Sequence, residues 1–181
     1  MATQTNITVN DLSRMVDAGV LPEDARVELV DGEVRQMAPI GSRHGGTVNR
    51  LNIKLRELGN RFVVGIQNPI DLDLRTQLHP DVSICKPRDD VYFDSNPTPS
   101  DTLLVIEVAD SSSGHDRSEK IPRYAQADIP EAWIVDVDRQ VIEQYLAPDG
   151  IRYAAEKTFH RGDILTSQAV EGLQVRVEEI V

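Results

Sequence analysis

Cysteine, aromatic residues and long apolar segments are all scarce in this sequence. Cys85 is the single cysteine among 181 residues, which excludes an internal disulfide and a cysteine-based zinc cage. Aromatic residues make up 4%, so the core must be built from Val, Ile and Leu. The sequence shows no apolar segment of about 18 residues and no N-terminal apolar run with a basic flank. We therefore expect a soluble, cytoplasmic protein without a membrane partner.

Basic residues are also few. The chain carries 19 Lys and Arg against 30 Asp and Glu, a formal net charge of −11. Proteins that bind nucleic acid through its phosphates usually present a basic surface, so tight nonspecific DNA binding is disfavoured. A nuclease is not excluded, because a bound divalent cation supplies local positive charge. The simplest meaning of the acidity is solubility.

The order of the predicted elements indicates an α/β (α+β) protein. The length and a hydrophobic fraction of 40% predict one domain over residues 1–181. Apolar spacing and capping residues predict helices over 8–19, 42–58 and 116–127, with Pro122 disturbing the first turn of the third. Turn signals and alternation predict a hairpin over 26–38, strands over 62–66, 70–75, 82–85, 102–108 and 132–136, loops over 87–99 and 111–114, and hairpins within 141–181. A mixed sheet with helices packed against it follows from this order.

Three residues are candidates for chemistry. Glu107 stands near the end of the most apolar strand of the chain, where burial of a carboxylate costs several kcal/mol, of order 2–7, unless a partner satisfies it. Asp81 begins another strand, and Lys120 lies on the helix that follows, with Asp116 and Tyr124 at four-residue steps on the same face. Two acids on adjacent strands suit Mg²⁺, which prefers one or two carboxylates together with waters and substrate phosphates.

Each of these residues also has an ordinary structural interpretation. Glu107 could lean into solvent or pair with Lys120, Asp81 could be a turn aspartate after Pro80, and Lys120 could be a solvated helix lysine. Their joint occurrence on strand, strand and following helix favours a functional group.

Several segments resemble, in the same order, the Uma-two family of restriction endonucleases. The segments that match are Glu28-Leu29-Val30-Asp31-Gly32-Glu33, Met37-Ala38-Pro39, His44, His79-Pro80-Asp81-Val82-Ser83, Ile106-Glu107-Val108-Ala109, Asp116, Lys120, Tyr124 and Ile129-Pro130-Glu131-Ala132-Trp133-Ile134-Val135-Asp136. The resemblance covers roughly residues 8–150, and it is carried by the order of the motifs, since no single one is specific.

That family belongs to the PD-(D/E)XK nuclease superfamily, and the resemblance implies its restriction-endonuclease-like core, a four-stranded mixed sheet flanked by helices, here with extra C-terminal hairpins. It implies that Asp81 and Glu107 bind Mg²⁺ or Mn²⁺ and that Glu28 completes the site. The superfamily places a lysine two positions after the acid. Ala109 occupies that position here, so the resemblance transfers the catalytic lysine to Lys120.

Substrate contacts are expected from three further residues. His44 stands at the predicted start of a helix, where free backbone N–H groups bind phosphate, although a capping or surface histidine is the alternative. Arg43 could contact the DNA backbone or remain solvated, and Tyr124 shares the predicted face of Lys120. We expect Trp133 to belong to the core and do not expect His79 to act as a ligand.

These observations leave three functions open. The first is a metal-dependent endonuclease acting on nucleic acid, with DNA favoured; the second is a non-catalytic binding or assembly module in which Glu107 and Lys120 form a buried ion pair. The third, a hydrolase of small phosphorylated molecules, is disfavoured because no glycine-rich phosphate loop is present. Strand edges within 141–181 need cover, so a homodimer or higher homo-oligomer is also expected.

Overall fold

The computed structural model describes residues 6–110 and 116–181. The helices are α1 (Val9–Asp17), α2 (Ser42–Leu55), α3 (Ile121–Gln126) and α4 (Val177–Ile180). The strands are β1 (Val27–Val30), β2 (Glu33–Gln36), β3 (Val63–Ile66), β4 (Ile70–Asp73), β5 (Thr76–Leu78), β6 (Val82–Cys85), β7 (Thr102–Ala109), β8 (Glu131–Asp136), β9 (Val141–Asp149), β10 (Arg152–His160), β11 (Ile164–Thr166) and β12 (Gln174–Arg176). Within the described ranges, no helix is long and apolar enough to cross a membrane.

A six-stranded mixed sheet with the order β10-β9-β8-β7-β6-β3 forms the centre of the fold. The neighbours β7 and β8 run parallel, joined by a crossover through α3, and the remaining pairs are antiparallel. The mixed sheet predicted from the sequence is confirmed. The expected C-terminal hairpin is confirmed as β9–β10, and it adds two strands to this sheet.

The two faces of β7 pack against different layers, because successive side chains of a strand point to opposite sides. Leu104, Ile106 and Val108 face α2 in one buried cluster. Val105 and Ala109 face α3 in the other cluster, which also contains Leu78 from a second sheet. Glu107 lies between Val105 and Ala109 along the strand and therefore belongs to the α3 face.

The second sheet has four strands in the order β2-β1-β5-β4, and it was not predicted. Its first hairpin turns at Asp31 and Gly32, whose φ values of 52° and 83° match the expected two-residue turn. The expectation of one strand from Ile70 to Arg75 is wrong. The Asp73 carboxylate accepts a hydrogen bond from the Arg75 N–H at 2.7 Å, which turns the chain, leaves Leu74 81% exposed and starts β5.

The helices begin and end largely where capping chemistry places them. Thr8 and Asp11 form a reciprocal capping box at α1, as expected. The second helix ends at Leu55 rather than Leu58, and a 3₁₀ segment follows over Arg56–Arg61, with Gly59 at a φ of 58°. The third begins as a π turn over Asp116–Lys120, and α3 follows.

Pro122 explains this wide turn, because proline lacks the N–H that a continuous α-helix requires. The predicted loop over Ser111–Gly114 and the side chain of Asp116 lie outside the described residues.

The C-terminal segment is anchored to the central sheet by a buried acid. β11 and β12 form a two-stranded sheet that continues into α4. The carboxylate of Glu131, at the start of β8, accepts hydrogen bonds from Ser167 Oγ at 2.8 Å and from the backbone N–H groups of Gln168 and Ala169 at 2.8 and 2.9 Å. One side chain therefore joins the sheet to the loop that carries β11 and β12.

Candidate functional site

A cavity of about 500 Å³ opens between the central sheet, the second sheet and the N-terminal turn of α2. Glu28, Asp81, Glu107 and Lys120 all line it, so the structure brings together the four residues predicted to be catalytic. Each of the four is buried. These four residues lie far apart in the sequence. The fold brings them together by placing β1, the start of β6, β7 and the π turn around one cavity.

Asp81 and Glu107 face each other across two neighbouring antiparallel strands. Val82 pairs with Ile106 in the β6–β7 register, and one step further along the same register places Asp81 opposite Glu107. Opposed residues of an antiparallel pair point to the same face of a sheet. The two carboxylates therefore enter the cavity from the same side, as a shared ion requires.

Asp81 is held by three donors. Its Oδ2 lies 2.9 Å from Nε2 of His44 and accepts the Val108 N–H at 2.8 Å, and its Oδ1 accepts from Nε2 of Gln67 at 3.1 Å. Burial opposes ionisation of this carboxyl group, but the contacts with His44, Val108 and Gln67 outweigh it and hold the pKa of Asp81 below its usual value. The group is thus an oriented carboxylate at neutral pH.

Glu107 is only 2% exposed and is stabilised by α3 and the turn before it. The Tyr124 hydroxyl donates to Glu107 Oε1 at 2.5 Å, and Lys120 Nζ donates to Oε2 at 3.3 Å. Lys120 Nζ also lies 3.0 Å from Glu28 Oε1, which in turn accepts the His79 N–H at 2.9 Å. The ammonium group therefore bridges two buried carboxylates.

The donor set fits a hard divalent cation bound in an open site. Five carboxylates line the cavity, against four Lys and Arg side chains, so its wall has an excess of one negative charge that a cation would offset: Glu28, Asp81, Glu107, Asp110 and Glu119 against Arg26, Arg35, Lys120 and Arg123. Asp81 Oδ1 accepts a single hydrogen bond, which leaves one of its two lone pairs for a ligand. Among residues 6–110 and 116–181, no three or more His, Cys, Asp or Glu side chains form a metal cage. Mg²⁺ needs no such cage, because waters and substrate oxygens complete its shell.

The residues predicted to bind substrate occupy three different environments. His44 lines the cavity and contacts Asp81. Arg43 is exposed and forms ion pairs with Asp110 at 3.2 Å and Asp138 at 2.7 Å, outside the cavity wall. Tyr124 is fully buried; its hydroxyl contacts Glu107, and its side chain does not line the cavity. Trp133 is buried in the core, as expected.

The comparison with known families decides where the chain belongs. A family model, Uma2, described as "Putative restriction endonuclease", matches residues 10–178. This chain is a member of the Uma2 family. The resemblance seen in the sequence motifs is thereby confirmed. No curated protein matches the chain.

A solved structure supports the fold of this Uma2 protein. The crystal structure of a putative nuclease belonging to DUF820 from Anabaena variabilis ATCC 29413 is similar to it with a TM-score of 0.67. The two share 14% sequence identity, and the match covers 96% of this chain and 97% of the other. The fold is restriction-endonuclease-like, with a mixed central sheet. Family and fold together indicate a nuclease, and nucleases of this fold generally use divalent metal ions on a nucleic-acid substrate.

Sequence reasoning missed two residues of the site in this Uma2 protein. Gln67 has a φ of 55°, and its N–H donates to the Asp81 carbonyl oxygen at 3.1 Å while its side chain donates to the Asp81 carboxylate. A polar residue in a left-handed conformation directly after a strand has no sequence signature. Arg26 also lines the cavity; its alternation with Glu28 along one strand was the available signal.

Proposed function

We propose that this Uma2 protein is a metal-dependent endonuclease that hydrolyses phosphodiester bonds in nucleic acid, with DNA as the favoured substrate. The observation that carries the proposal is the convergence of Asp81 and Glu107, from neighbouring strands, on one cavity that Lys120 also enters. Asp81 and Glu107 would hold Mg²⁺ or Mn²⁺, with Glu28 completing the acidic wall. A bound divalent ion supplies Lewis-acid polarisation of a phosphate and a more acidic water.

The protein's own part in this chemistry is to orient charge before the substrate arrives. His44, Gln67 and the Val108 N–H fix the Asp81 carboxylate, and Tyr124 fixes Glu107. Groups that are already oriented need no reorganisation during the reaction, and charges act more strongly away from bulk water. The dense hydrogen bonding around both acids supports a site built for a fixed geometry.

Lys120 takes the place of the lysine that the superfamily motif puts on the strand. Its Nζ lies 3.0 Å from Glu28 and 3.3 Å from Glu107, so two carboxylates hold the ammonium group beside the proposed metal ligands. From there it can donate a hydrogen bond to an attacking water or offset the charge that develops on the phosphate oxygens. A catalytic role for Lys120 thus explains how the site keeps both motif acids although alanine occupies position 109, where the motif places its lysine.

The test is cleavage by the purified full chain with Mg²⁺ or Mn²⁺, using supercoiled plasmid, single-stranded DNA and RNA as separate substrates. Cleavage by the wild-type protein should be lost in Asp81→Asn and Glu107→Gln, which preserve shape while removing charge. Glu23→Gln, an exposed change in the turn before β1, is the matched control and should cleave normally. Absence of cleavage with every metal and substrate, together with no heat of Mn²⁺ binding in calorimetry, would refute the proposal.

A non-catalytic binding or assembly module is the second candidate. It is favoured by Ala109 at the motif position and by the ion pairs of Lys120 with Glu28 and Glu107, which could serve the fold alone. Thermal melting separates the two, because ligand binding to the folded state raises the melting temperature by mass action. A site for Mn²⁺ predicts a concentration-dependent rise that Asp81→Asn abolishes; a module predicts no rise. A phosphatase screen tests the disfavoured third candidate.

We also propose self-association. β10 is an outer strand of the central sheet, and residues 154–158 are exposed, so its outer edge can pair with another strand. Light scattering coupled to size-exclusion chromatography distinguishes a dimer from a monomer.

A further inference from the structure

Arg26 is fixed at the mouth of the catalytic cavity by the backbone ladder of the first hairpin. The Met37 N–H donates to the Arg26 carbonyl oxygen at 2.9 Å, which continues the register that pairs Val27 with Gln36. Arg26 directly precedes β1, two positions before Glu28, and both residues line the cavity. Glu28 contacts Lys120 inside the cavity, whereas Arg26 is exposed and lines the same cavity nearer to solvent.

The other cations of the cavity wall each form an ion pair with a carboxylate. Lys120 pairs with Glu28 and Glu107; Arg35 pairs with Glu119 at 3.0 Å, and Arg123 pairs with Asp31 at 2.8 Å. Arg26 alone among the Lys and Arg of this wall forms no ion pair with a carboxylate of the described residues. Its charge does reach the site: burial mainly lowers the pKa of His79, and nearby Arg26 adds to that effect.

A guanidinium that forms no ion pair with a carboxylate of the described residues can bind an anion that enters the cavity from solvent. Arginine presents its donors in a planar fork that binds two oxygens of a phosphate at once. The molecule as a whole carries −11 and repels a polyanion, so a local cation at the entrance has to retain it. Ala38, Pro39 and Ile40 form an exposed, largely apolar rim of the same mouth, which can contact sugar and base surfaces.

We infer that the mouth of the cavity is a phosphate subsite in which Arg26 binds the nonbridging oxygens of a phosphodiester flanking the bond that is cut. This inference rests on the proposed nuclease function and adds to it the residue that seats the strand. Arg26 is a substrate-binding residue remote from the acidic floor, so its loss should weaken binding more than it slows the reaction of bound substrate.

The test compares two arginines that differ in place but not in charge. Arg26→Ala removes the proposed contact, and Arg75→Ala removes an exposed arginine from the β4–β5 turn, outside the cavity. Binding of a fluorescently labelled DNA duplex to each full-length variant is measured by anisotropy in EDTA, at salt concentrations from about 50 to about 200 mM. Arg26→Ala should bind roughly tenfold more weakly, with a salt slope shallower by about 0.9. Arg75→Ala should match the wild-type protein.

Cleavage kinetics then separate the subsite from a structural effect. In Mn²⁺, Arg26→Ala should raise KM with little change in kcat, Arg26→Lys should recover part of the lost affinity, and the melting temperature should be unchanged. Equal effects of Arg26→Ala and Arg75→Ala, or a duplex that the wild-type protein does not bind, would overturn the inference. A wild-type protein that binds DNA but never cleaves it would instead refute the nuclease proposal while leaving the binding comparison to judge Arg26.

Discussion

The buried acid Glu131 offers the sharpest test of what holds this fold together. Its side chain is 0% exposed, and five neutral groups donate to it. Trp133 Nε1 and Gln144 Nε2 donate to Oε1, each at 2.6 Å, and the three donors from the 167–169 loop reach Oε2. Glu131→Gln keeps the shape but replaces one acceptor oxygen with an NH₂ group, which must face donors in either orientation.

The magnitude follows from the number of hydrogen bonds that cannot be remade. Gln144 can turn its own amide to accept from a new NH₂ group, but Trp133 cannot, so at least one buried donor loses its acceptor and a second bond is perturbed. At about 1–3 kcal/mol for each such group, Glu131→Gln should lower the free energy of unfolding by roughly 2–6 kcal/mol. That is a large fraction of the stability of a typical domain, about 5–15 kcal/mol.

Urea unfolding is a direct assay, because Trp133 is the single tryptophan and reports from the network itself. With a slope of about 2 kcal/mol per molar urea, a loss of about 3 kcal/mol moves the midpoint down by about 1.5 M. Glu23→Gln, exposed in the turn before β1, is the control and should stay within about 0.5 kcal/mol of the wild-type protein. If Glu131→Gln unfolds together with that control, the network does not stabilise the fold and the reasoning fails.

Three further predictions concern other parts of the molecule. Tyr124→Phe should leave the protein folded but reduce cleavage, because Glu107 loses the hydroxyl that orients it; an unchanged rate would show that this contact does not matter. Burial opposes ionisation of Asp136, but contact with Arg117 at 2.7 Å outweighs it and lowers its pKa. Because the pKa of Asp136 is lower in the folded than in the unfolded protein, its ionised form stabilises the fold at pH values above the unfolded pKa of about 3.9. This stabilisation is lost as the pH falls through the folded pKa. Acid unfolding should therefore occur at higher pH in Arg117→Gln than in the wild-type protein, and identical acid transitions would refute the pairing. Burial raises the pKa of the Cys85 thiol, so a thiol reagent should label the protein only after denaturation; rapid labelling of the native state would contradict its buried position.

The sequence predicted the acidic pair because its signals were local. A continuous apolar run marks β7 as a covered strand, and a charged residue inside such a run demands a partner, so Glu107 could be selected without a structure. Pro80 before Asp81 marks the start of β6. Adjacent order in the chain made pairing of these two strands a reasonable expectation, and the observed register places both acids on one face.

The second sheet could not be predicted in the same way. Its hairpins lie far apart in the sequence and are joined through the pairing of Leu29 with Gln77, a contact that no local pattern encodes. The alternation of apolar and polar residues also gave a wrong prediction at Leu74. An apolar residue in a turn fits the same pattern as an inward-facing residue of a strand. The burial of Glu131 was not predicted for a related reason: four of its five donors, from β9 and the 167–169 loop, lie 13 or more positions away in the sequence.

The position of the lysine shows how the fold and the site constrain each other. Ala109 is fully buried beneath Ile121 and Tyr124, on the same face of β7 as Glu107. A long side chain at 109 would occupy the space in which α3 packs, whereas alanine lets the helix approach closely enough for the Tyr124 hydroxyl to reach Glu107. Pro122 then forces the preceding turn to widen, and that turn ends at Lys120, which contacts Glu107. Alanine at position 109 and the π turn that ends at Lys120 therefore belong to one packing arrangement. A substitution at 109 should be judged by its effect on α3 before any effect on chemistry.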